Sequence, residues 1–279
     1  MEEYCSFIEN MLIESNNQKM QYDSFGCSAF VAQNENGDIL FARNMDCEYA
    51  IPMLLHLNNE ESIRSLSLVN MAVLDWDETT YDTLEDDPKL TLATAYSPYD
   101  GMNEFGFAVA ILTDATAIYT NDSNKTTLFD MTLTRLLLDK AKTVDEAINY
   151  VREYNLFCDF APLHYIVADS TGDAAVIEFV DGNMVITKKK ERYLIVSNFT
   201  LYNNPSKEGF GKDRYDNYQN SLAKCNGIIS EADALELLKS NVIPGDEQWS
   251  VVYNLTKRTL WVTFFGEYEQ VYHFEREQA

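Results

Sequence analysis

The chain has 279 residues, with 45 acidic against 21 basic side chains and a formal net charge of −24 at pH 7. Such a surface repels nucleic-acid phosphates and anionic lipid headgroups, so we expect neither nucleic acid nor a membrane as a partner. An apolar content of 46% is enough for a sizeable packed core, which argues against an intrinsically disordered chain.

The N-terminal segment predicts a short amphipathic helix, because Tyr4, Ile8, Met11 and Leu12 lie at helical spacing. Acidic residues are interspersed among them, unlike a secretory signal. No later stretch is apolar over the roughly 18 to 20 residues that a membrane span needs. We therefore expect a cytoplasmic protein. Its five cysteines are odd in number and lack C-x-x-C spacing, so we expect free thiols.

The stretch after residue 26 predicts a β-hairpin. CSAFVA and ILFARNMD are rich in strand-forming residues, and the turn signal QNENGD separates them. Further strand-like runs follow at 65–74, 90–97 and 105–114. The first half of the chain therefore predicts several short antiparallel strands.

Helices and a second block of strands follow. Helical spacing predicts two helices within 127–155, the second capped by Thr143 with Glu146, and two more at 213–226 and 230–240. Strand-like runs lie at 164–170, 174–180, 184–190, 193–198, 249–266 and 268–275. Strands in blocks, with helices grouped between them, favour an α+β fold with antiparallel sheets over βαβ alternation. One domain built on two packed sheets fits this order best.

Cys27 stands at the head of the first predicted strand, directly after Gly26. A thiol is nucleophilic as thiolate, so a catalytic cysteine needs a nearby base or positive charge. The three histidines, His56, His164 and His273, all lie in apolar or aromatic sequence, which favours packed or surface roles over that of a base. No H-E-x-x-H pattern is present, so we expect no metal ion and no cofactor.

Cleavage of the peptide bond before Cys27 would supply a different base. A free α-amine has a pKa of about 7.7 to 8.0, against about 10.4 for lysine, so much more of it is unprotonated at neutral pH. Gly26 suits such a cleavage, because a residue without a side chain lets a nucleophile approach its carbonyl. The Gly-Cys pair alone does not separate a catalytic cysteine from an ordinary core cysteine.

Motifs from residue 27 onward, taken together, resemble one known group of enzymes. CSAFVAQNENGDILFARNMD combines a cysteine at the head of a strand, a turn with glycine, and R-N-M-D. The similarity continues in GMNEFGFAVA, HYIVADSTGDAAVIEF, YLIVSN, KDRYDNY and WSVVYNLTKRTLWV. These stretches resemble the choloylglycine hydrolase and acyl-CoA:isopenicillin N acyltransferase families, linear-amide C–N hydrolases of the N-terminal nucleophile (Ntn) superfamily. The resemblance implies an αββα four-layer sandwich of two antiparallel sheets.

The resemblance also implies roles for Cys27 and for two residues of the hairpin. Cys27 would be the nucleophile, and its freed amine the base. Arg43 would hold a positive charge near the sulfur and favour the thiolate. Asp46 would accept hydrogen bonds from the α-ammonium group. The alternative for Arg43 and Asp46 is a surface ion pair on the hairpin, with little effect on stability.

Three more residues would complete the site that the resemblance implies. Asn198 would donate its amide N–H to the oxyanion of the tetrahedral intermediate, and the backbone N–H of Asn103 would be a second donor. Arg214 would complete the polar cluster. The structural alternatives are a turn residue for Asn103, a strand end for Asn198 and a solvated helix start for Arg214.

The implied protein is an autoprocessed amidase or N-acyltransferase. Residues 1–26 would be a propeptide that ends at Gly26, directly before the cysteine, as in the acyltransferase-like branch, and 27–279 a single Ntn-hydrolase domain. Its partner would be a small-molecule N-acyl amide. Phe199-Thr200 stands after Asn198 where bile-salt members usually show a proline, which argues against bile-salt specificity. A peptide-bond hydrolase of the same mechanism, a non-catalytic binding member, a homo-oligomer and a leader that stays bound are alternatives left open.

Overall fold

The computed structural model describes residues 26–58, 62–74, 92–158 and 161–275. The amphipathic helix predicted near the N-terminus lies outside these residues, as does the predicted leader up to residue 25. Gly26 is described, as the first residue of a strand.

One sheet contains six antiparallel strands: β1 (Gly26–Gln33), β2 (Ile39–Asp46), β12 (Leu194–Val196), β13 (Glu247–Asn254), β14 (Thr259–Phe264) and β15 (Tyr272–Glu275). Their spatial order is β12-β1-β2-β13-β14-β15. We call this sheet A. The predicted hairpin is confirmed as the second and third strands of this sheet, with Cys27 opposite Met45 and Ala29 opposite Arg43.

The facing sheet, sheet B, has seven strands: β3 (Pro52–Leu57), β4 (Ser65–Asn70), β5 (Asp100–Asn103), β6 (Ala108–Thr113), β9 (Leu163–Ala168), β10 (Ala174–Val180) and β11 (Asn183–Lys188). Their order is β11-β10-β9-β6-β5-β4-β3, antiparallel throughout. A small parallel pair joins β7 (Thr126–Phe129) to β8 (Tyr154–Phe157).

Four helices cover the outer faces of the two sheets. They are α1 (Asp130–Lys140), α2 (Val144–Arg152), α3 (Lys212–Lys224) and α4 (Glu231–Lys239). The first two contact sheet B and the last two contact sheet A. The predicted Thr143 cap is present, since its side chain accepts from the Glu146 N–H, and Ser230 caps α4 by accepting from the Asp233 N–H. The layer order is therefore αββα, and the predicted α+β sandwich is confirmed.

The alternation of side chains along β1 divides the core in two. Cys27, Ala29 and Val31 belong to the large apolar cluster shared by both sheets. Phe30 and Ala32 belong to a separate cluster, between sheet A and its helices. Successive residues of a strand point to opposite faces, so the Cys27 side chain lies between the sheets.

Three local predictions were wrong. The strand expected at 65–74 ends at Asn70, and Met71–Leu74 is a short 3-10 helix. The strand expected at 90–97 is a helical turn in its described part, where the Ala95 N–H donates to Leu92 O and the Tyr96 N–H to Ala93 O. Leucine and alanine are good helix formers, and alanine is depleted in strands. Residues 127–129 form β7, so the first helix begins at Asp130.

Within the described ranges, no helix is both long enough and apolar enough to cross a bilayer. The cytoplasmic location and the possible homo-oligomer stay predictions.

Candidate functional site

The side chains of Cys27 and Arg43 meet between the two sheets. Arg43 lies two residues before Met45, the partner of Cys27 across the hairpin, so it shares the same face. Its Nη2 donates to the Cys27 sulfur at 3.1 Å and also approaches Met45 Sδ at 3.2 Å. Arg43 is fully buried and Cys27 is 3% exposed, which rules out a surface role for this arginine.

Asp100, at the start of β5, fixes the other side of the guanidinium. Arg43 Nη1 donates to Asp100 Oδ2 at 2.9 Å, and both side chains are fully buried. Asp100 also accepts from the Trp249 indole N–H at 3.0 Å and from the Tyr253 hydroxyl. Three donors thus compensate one buried carboxylate, and the guanidinium stays aimed at the sulfur.

Asp46 lies on the opposite face of sheet A from the thiol. Its neighbour Asn44 on the same face donates to Leu238 O in α4. Asp46 Oδ1 accepts from the Ile243 N–H at 3.1 Å, whereas Oδ2 lies 3.7 Å from Arg214 Nη1 and has no hydrogen-bond donor among the described residues. Asp46 is directly opposite Gly26 in the ladder, so it flanks the Gly26–Cys27 bond.

Asn198 and Arg214 bind the backbone of Cys27. The Cys27 N–H donates to Asn198 Oδ1 at 2.7 Å, and Arg214 Nη1 donates to Cys27 O at 2.8 Å. Arg214 Nη2 donates to the same Asn198 oxygen at 2.9 Å, so two donors identify that atom as oxygen. The Asn198 amide nitrogen donates to Thr113 O and Thr113 Oγ1. Ser197 Oγ adds a second, 3.3 Å contact to Cys27 O.

Asn103 is not brought to the thiol. Its backbone N–H donates to Phe107 O, which closes the β5–β6 turn, so the expected second oxyanion donor is already used. Its side-chain amide donates to Leu138 O and Ala141 O at the end of α1, on the outer face of sheet B. The structure therefore supports the turn-residue alternative for Asn103.

Burial raises the pKa of two groups at the site, the Cys27 thiol and the Asp46 carboxyl. For the Cys27 thiol, burial is the largest effect on the pKa. The positive charge of Arg43 lowers this pKa, the negative charge of Asp46 raises it, and Arg214 lowers it. Burial raises the pKa of Asp46 to about 7, against the lowering effects of the Ile243 N–H and of Arg214. In the continuous chain the Cys27 nitrogen is a peptide amide, so the thiol needs another group to take its proton.

Two glycines permit close approach at this site. A Cβ on Gly26 would lie 2.2 Å from Ile243 Cδ1. Gly211, with φ of +80°, precedes α3, and a Cβ there would lie 2.1 Å from Ser197 Oγ and 2.4 Å from Arg214 Nη2. A side chain at position 211 would displace the arginine that binds Cys27, and the left-handed backbone also favours glycine.

Sequence reasoning missed the residues that hold this site together. Nothing in the sequence marks Asp100 as a functional residue, except that it precedes a glycine. Trp249 and Tyr253 are four residues apart on β13, and the strand period places them on one face, where both donate to Asp100. Thr113, the acceptor for the Asn198 amide, ends β6 and belongs to no recognisable motif.

Solved structures share this two-sheet fold. A mutant and a second variant of conjugated bile acid hydrolase from Clostridium perfringens match with TM-scores of 0.60 and 0.63, each at 15% identity over 89% of this chain and 92% of theirs. Penicillin V acylase from Agrobacterium tumefaciens matches with a TM-score of 0.59 and 19% identity, over 89% of this chain and 86% of its own. At these identities the likeness concerns the fold, which is that of the Ntn hydrolases.

Sequence comparison is more specific. Residues 27–204 match the model of the linear amide C–N hydrolases, choloylglycine hydrolase family. A penicillin V acylase of Pectobacterium atrosepticum is 32% identical over 114 residues, which cover 37% of this chain and 30% of the relative's length. The chain therefore belongs to the choloylglycine hydrolase family of linear amide C–N hydrolases, an amidohydrolase family, as the motifs predicted.

Proposed function

We propose that this protein is a cysteine amidohydrolase that cleaves a small-molecule N-acyl amide through a thioester on Cys27. The observation that carries the proposal is that both reactive atoms of one residue are engaged by polar groups: the sulfur by Arg43 at 3.1 Å and the nitrogen by Asn198 at 2.7 Å. An ordinary core cysteine has no reason to lie against a buried guanidinium, which needs a charged or polar partner.

Maturation is the first step of the proposal. The Cys27 sulfur attacks the Gly26 carbonyl carbon, the C–N bond breaks, and the acyl group of Gly26 moves to sulfur while the Cys27 nitrogen becomes a free amine. Water hydrolyses this thioester to a Gly26 carboxylate and regenerates the thiol. Asp46 supports this step, because a buried carboxyl with a pKa of about 7 beside the bond can take and return a proton near neutral pH.

Catalysis then uses the new terminus. The free amine takes the thiol proton, the sulfur attacks the substrate's amide carbonyl, and the amine product leaves with that proton. Arg43 stabilises the thiolate. The Asn198 side-chain amide, whose N–H donates to Thr113 in this structure, turns that N–H to the oxyanion. Water then cleaves the thioester. Asn198 Oδ1 and the unpartnered oxygen of Asp46 are suitable acceptors for the ammonium form of the terminus.

A largely apolar cavity beyond the end of β2, with Glu48 and Glu267 also in its wall, suits the acyl group of the substrate. It has a volume of about 590 Å³, and its lining is mainly aromatic and aliphatic: Tyr49, Ile51, Pro52, Phe264, Phe265 and Tyr272. Gln248, also in its wall, donates to Cys47 O, two residues beyond the Met45 that contacts the Cys27 sulfur. We propose that an aromatic or medium-length acyl chain binds there.

The test is turnover of a substrate panel: N-acyl amino acids, penicillin V, N-acyl homoserine lactones and conjugated bile salts. We expect cleavage of at least one of the first three by wild type and none by Cys27→Ala. Addition of an amine acceptor measures how the thioester divides between hydrolysis and acyl transfer. Equal turnover by wild type and Cys27→Ala would exclude the thioester mechanism, and inactivity of both on every substrate would favour a binding role.

A further inference from the structure

Three buried side chains lie close together beside the loop that follows Asn198. Asp114 comes just after β6, His164 lies on β9 and Glu178 lies on β10, so three adjacent strands of sheet B contribute one residue each. Their side chains are at most 1% exposed. One ligand-type atom from each lies within 4.8 Å of the others.

The histidine has no hydrogen-bond partner. Neither of its ring nitrogens contacts a donor or acceptor among the described residues. His164 Nδ1 lies 3.9 Å from Asp114 Oδ2 and 3.9 Å from Glu178 Oε1, which is too long for a hydrogen bond. An unpaired buried polar group is costly, and three groups that all offer lone pairs repel one another without a cation between them.

The carboxylates, by contrast, are firmly positioned. Asp114 Oδ1 accepts from Thr116 N and Oγ1, and its Oδ2 accepts from Thr200 Oγ1 at 2.6 Å. Metal-ligating carboxylates are characteristically held by such outer hydrogen bonds.

Glu178 is held in the same way. Its Oε1 accepts from the Leu201 N–H, and its Oε2 from the Tyr202 N–H and Thr187 Oγ1. Lys207 lies nearby, but its ammonium donates to Leu201 O. The oxygens that face the histidine therefore have fixed directions.

We propose that Asp114, His164 and Glu178 bind one divalent transition-metal ion of the Zn²⁺ type. Bonds of about 2.0 to 2.2 Å from nitrogen and carboxylate oxygen span donors up to about 4 Å apart, so small side-chain shifts suffice. A neutral imidazole with two carboxylates carries two negative charges, which a divalent ion neutralises. One nitrogen and two oxygen ligands favour Zn²⁺ or a similar metal over Ca²⁺ or Mg²⁺, which prefer all-oxygen sites.

The position of the site indicates what the metal does. Thr200 and Leu201 donate to its carboxylates two and three residues after Asn198, and Asp114 directly follows Thr113, which accepts from the Asn198 amide. The metal would therefore fix the segment that positions Asn198. It touches no reacting atom, and its binding does not depend on the chemistry proposed for Cys27.

The test is calorimetric titration of chelator-treated full-length protein with Zn²⁺, and with Ca²⁺ for comparison. We expect one Zn²⁺ per chain in wild type and a rise in Tm on binding. His164→Gln should weaken binding by at least about 100-fold. The matched control His273→Gln removes an exposed histidine on β15 and should bind like wild type. Cys27→Ala should also retain binding, which excludes the thiol as the ligand.

The isosteric variants Asp114→Asn and Glu178→Gln give an independent answer if His164→Gln does not fold. Loss of the one-to-one Zn²⁺ binding in both, with the visible absorption of bound Co²⁺ lost in parallel, supports the site. Failure of wild type to bind Zn²⁺ would overturn the proposal. Unchanged binding in these variants would overturn it equally, because the metal would lie elsewhere.

Discussion

The Arg43 guanidinium lies 3.1 Å from the Cys27 sulfur and cannot turn away without breaking a buried ion pair. Its Nη1 donates to Asp100 Oδ2 at 2.9 Å, in an ion pair with no solvent exposure. The charge that faces the thiol is therefore held by a residue that does not itself touch the thiol. Asp100 should therefore affect the stability of the site, and Arg43 the reactivity of the thiol. The two effects can be measured in separate variants.

Replacement of Asp100 by asparagine tests the support of the guanidinium. Loss of one partner of a buried pair should lower the free energy of unfolding by about 3 to 5 kcal/mol, measured by urea denaturation. The matched control is Glu104→Gln, which breaks the partly exposed pair with Arg64 and should cost about 1 kcal/mol or less. Equal losses in the two variants would show that burial of the Arg43 pair does not matter.

Replacement of Arg43 by methionine tests its effect on the thiol. The variant keeps an apolar stem but removes the charge that opposes the burial effect, so the pKa of Cys27 should rise further. A rise of one pKa unit lowers the thiolate fraction about tenfold. The rate of Cys27 alkylation at pH 7 should fall accordingly, whereas Arg64→Met should leave it unchanged. An unaltered alkylation rate in Arg43→Met would contradict the assigned role.

The Asp46 carboxyl predicts a pH dependence of stability in the uncut chain. Its folded pKa of about 7 exceeds the ordinary value of 3.8, so the folded state holds this proton more tightly. The resulting stabilisation is complete below about pH 4 and is lost as pH rises through 7. At pH 8, Asp46→Asn should therefore be more stable than its parent by a few kcal/mol, and at pH 4 the two should be similar.

Urea unfolding in the Cys27→Ala background measures this difference, since that background keeps the chain continuous. Subtraction of the parent curve removes the contribution of the other carboxylates. A difference between Asp46→Asn and its parent that is the same at both pH values would show that Asp46 titrates normally.

Gly26, which precedes the bond that we propose is cleaved, gives a double-variant test. In Gly26→Ala the new methyl group would meet Ile243 Cδ1 at 2.2 Å, so either the Ile243 side chain or the end of the strand must shift. A displacement of about 1 Å at a reacting centre slows a reaction roughly 100-fold, and we expect that loss in the rate of chain cleavage. Ile243→Ala removes the obstacle, so the double variant should recover most of the rate. Slow cleavage in both would mean that glycine is needed for the attack itself.

Much of the fold follows from local pattern. The β1–β2 hairpin was predictable because a glycine-containing turn separates two runs of strand formers, and its register alone puts Cys27 and Arg43 on one face. The capped helices were predictable for similar reasons. The strand predicted at 90–97 failed because the alternating pattern contains helix-forming leucine and alanine, and local hydrogen bonds prevailed.

The site residues that lie on the β1–β2 hairpin were predictable from the sequence. Those contributed by other elements were much harder to predict. Asn198 lies 171 residues from the Cys27 nitrogen it binds, and only the family resemblance pointed to it. Asn103 lies in the β5–β6 turn and bonds to the end of α1, and in sequence a turn asparagine looks the same as a catalytic one. The cluster of Asp114, His164 and Glu178 comes from three strands that become neighbours on folding, so no metal-binding spacing is visible along the chain.

The most direct measurement is the intact mass of the purified full-length protein after incubation. Self-cleavage by Cys27 predicts a fragment whose first residue is Cys27 in wild type, its absence in Cys27→Ala, and its presence in Cys47→Ala. Cys47 is the matched control because it is also buried, with a pKa raised to about 12 by burial. A wild-type chain that stays whole, or a Cys27→Ala chain that is cut at the same bond, would contradict self-cleavage by Cys27.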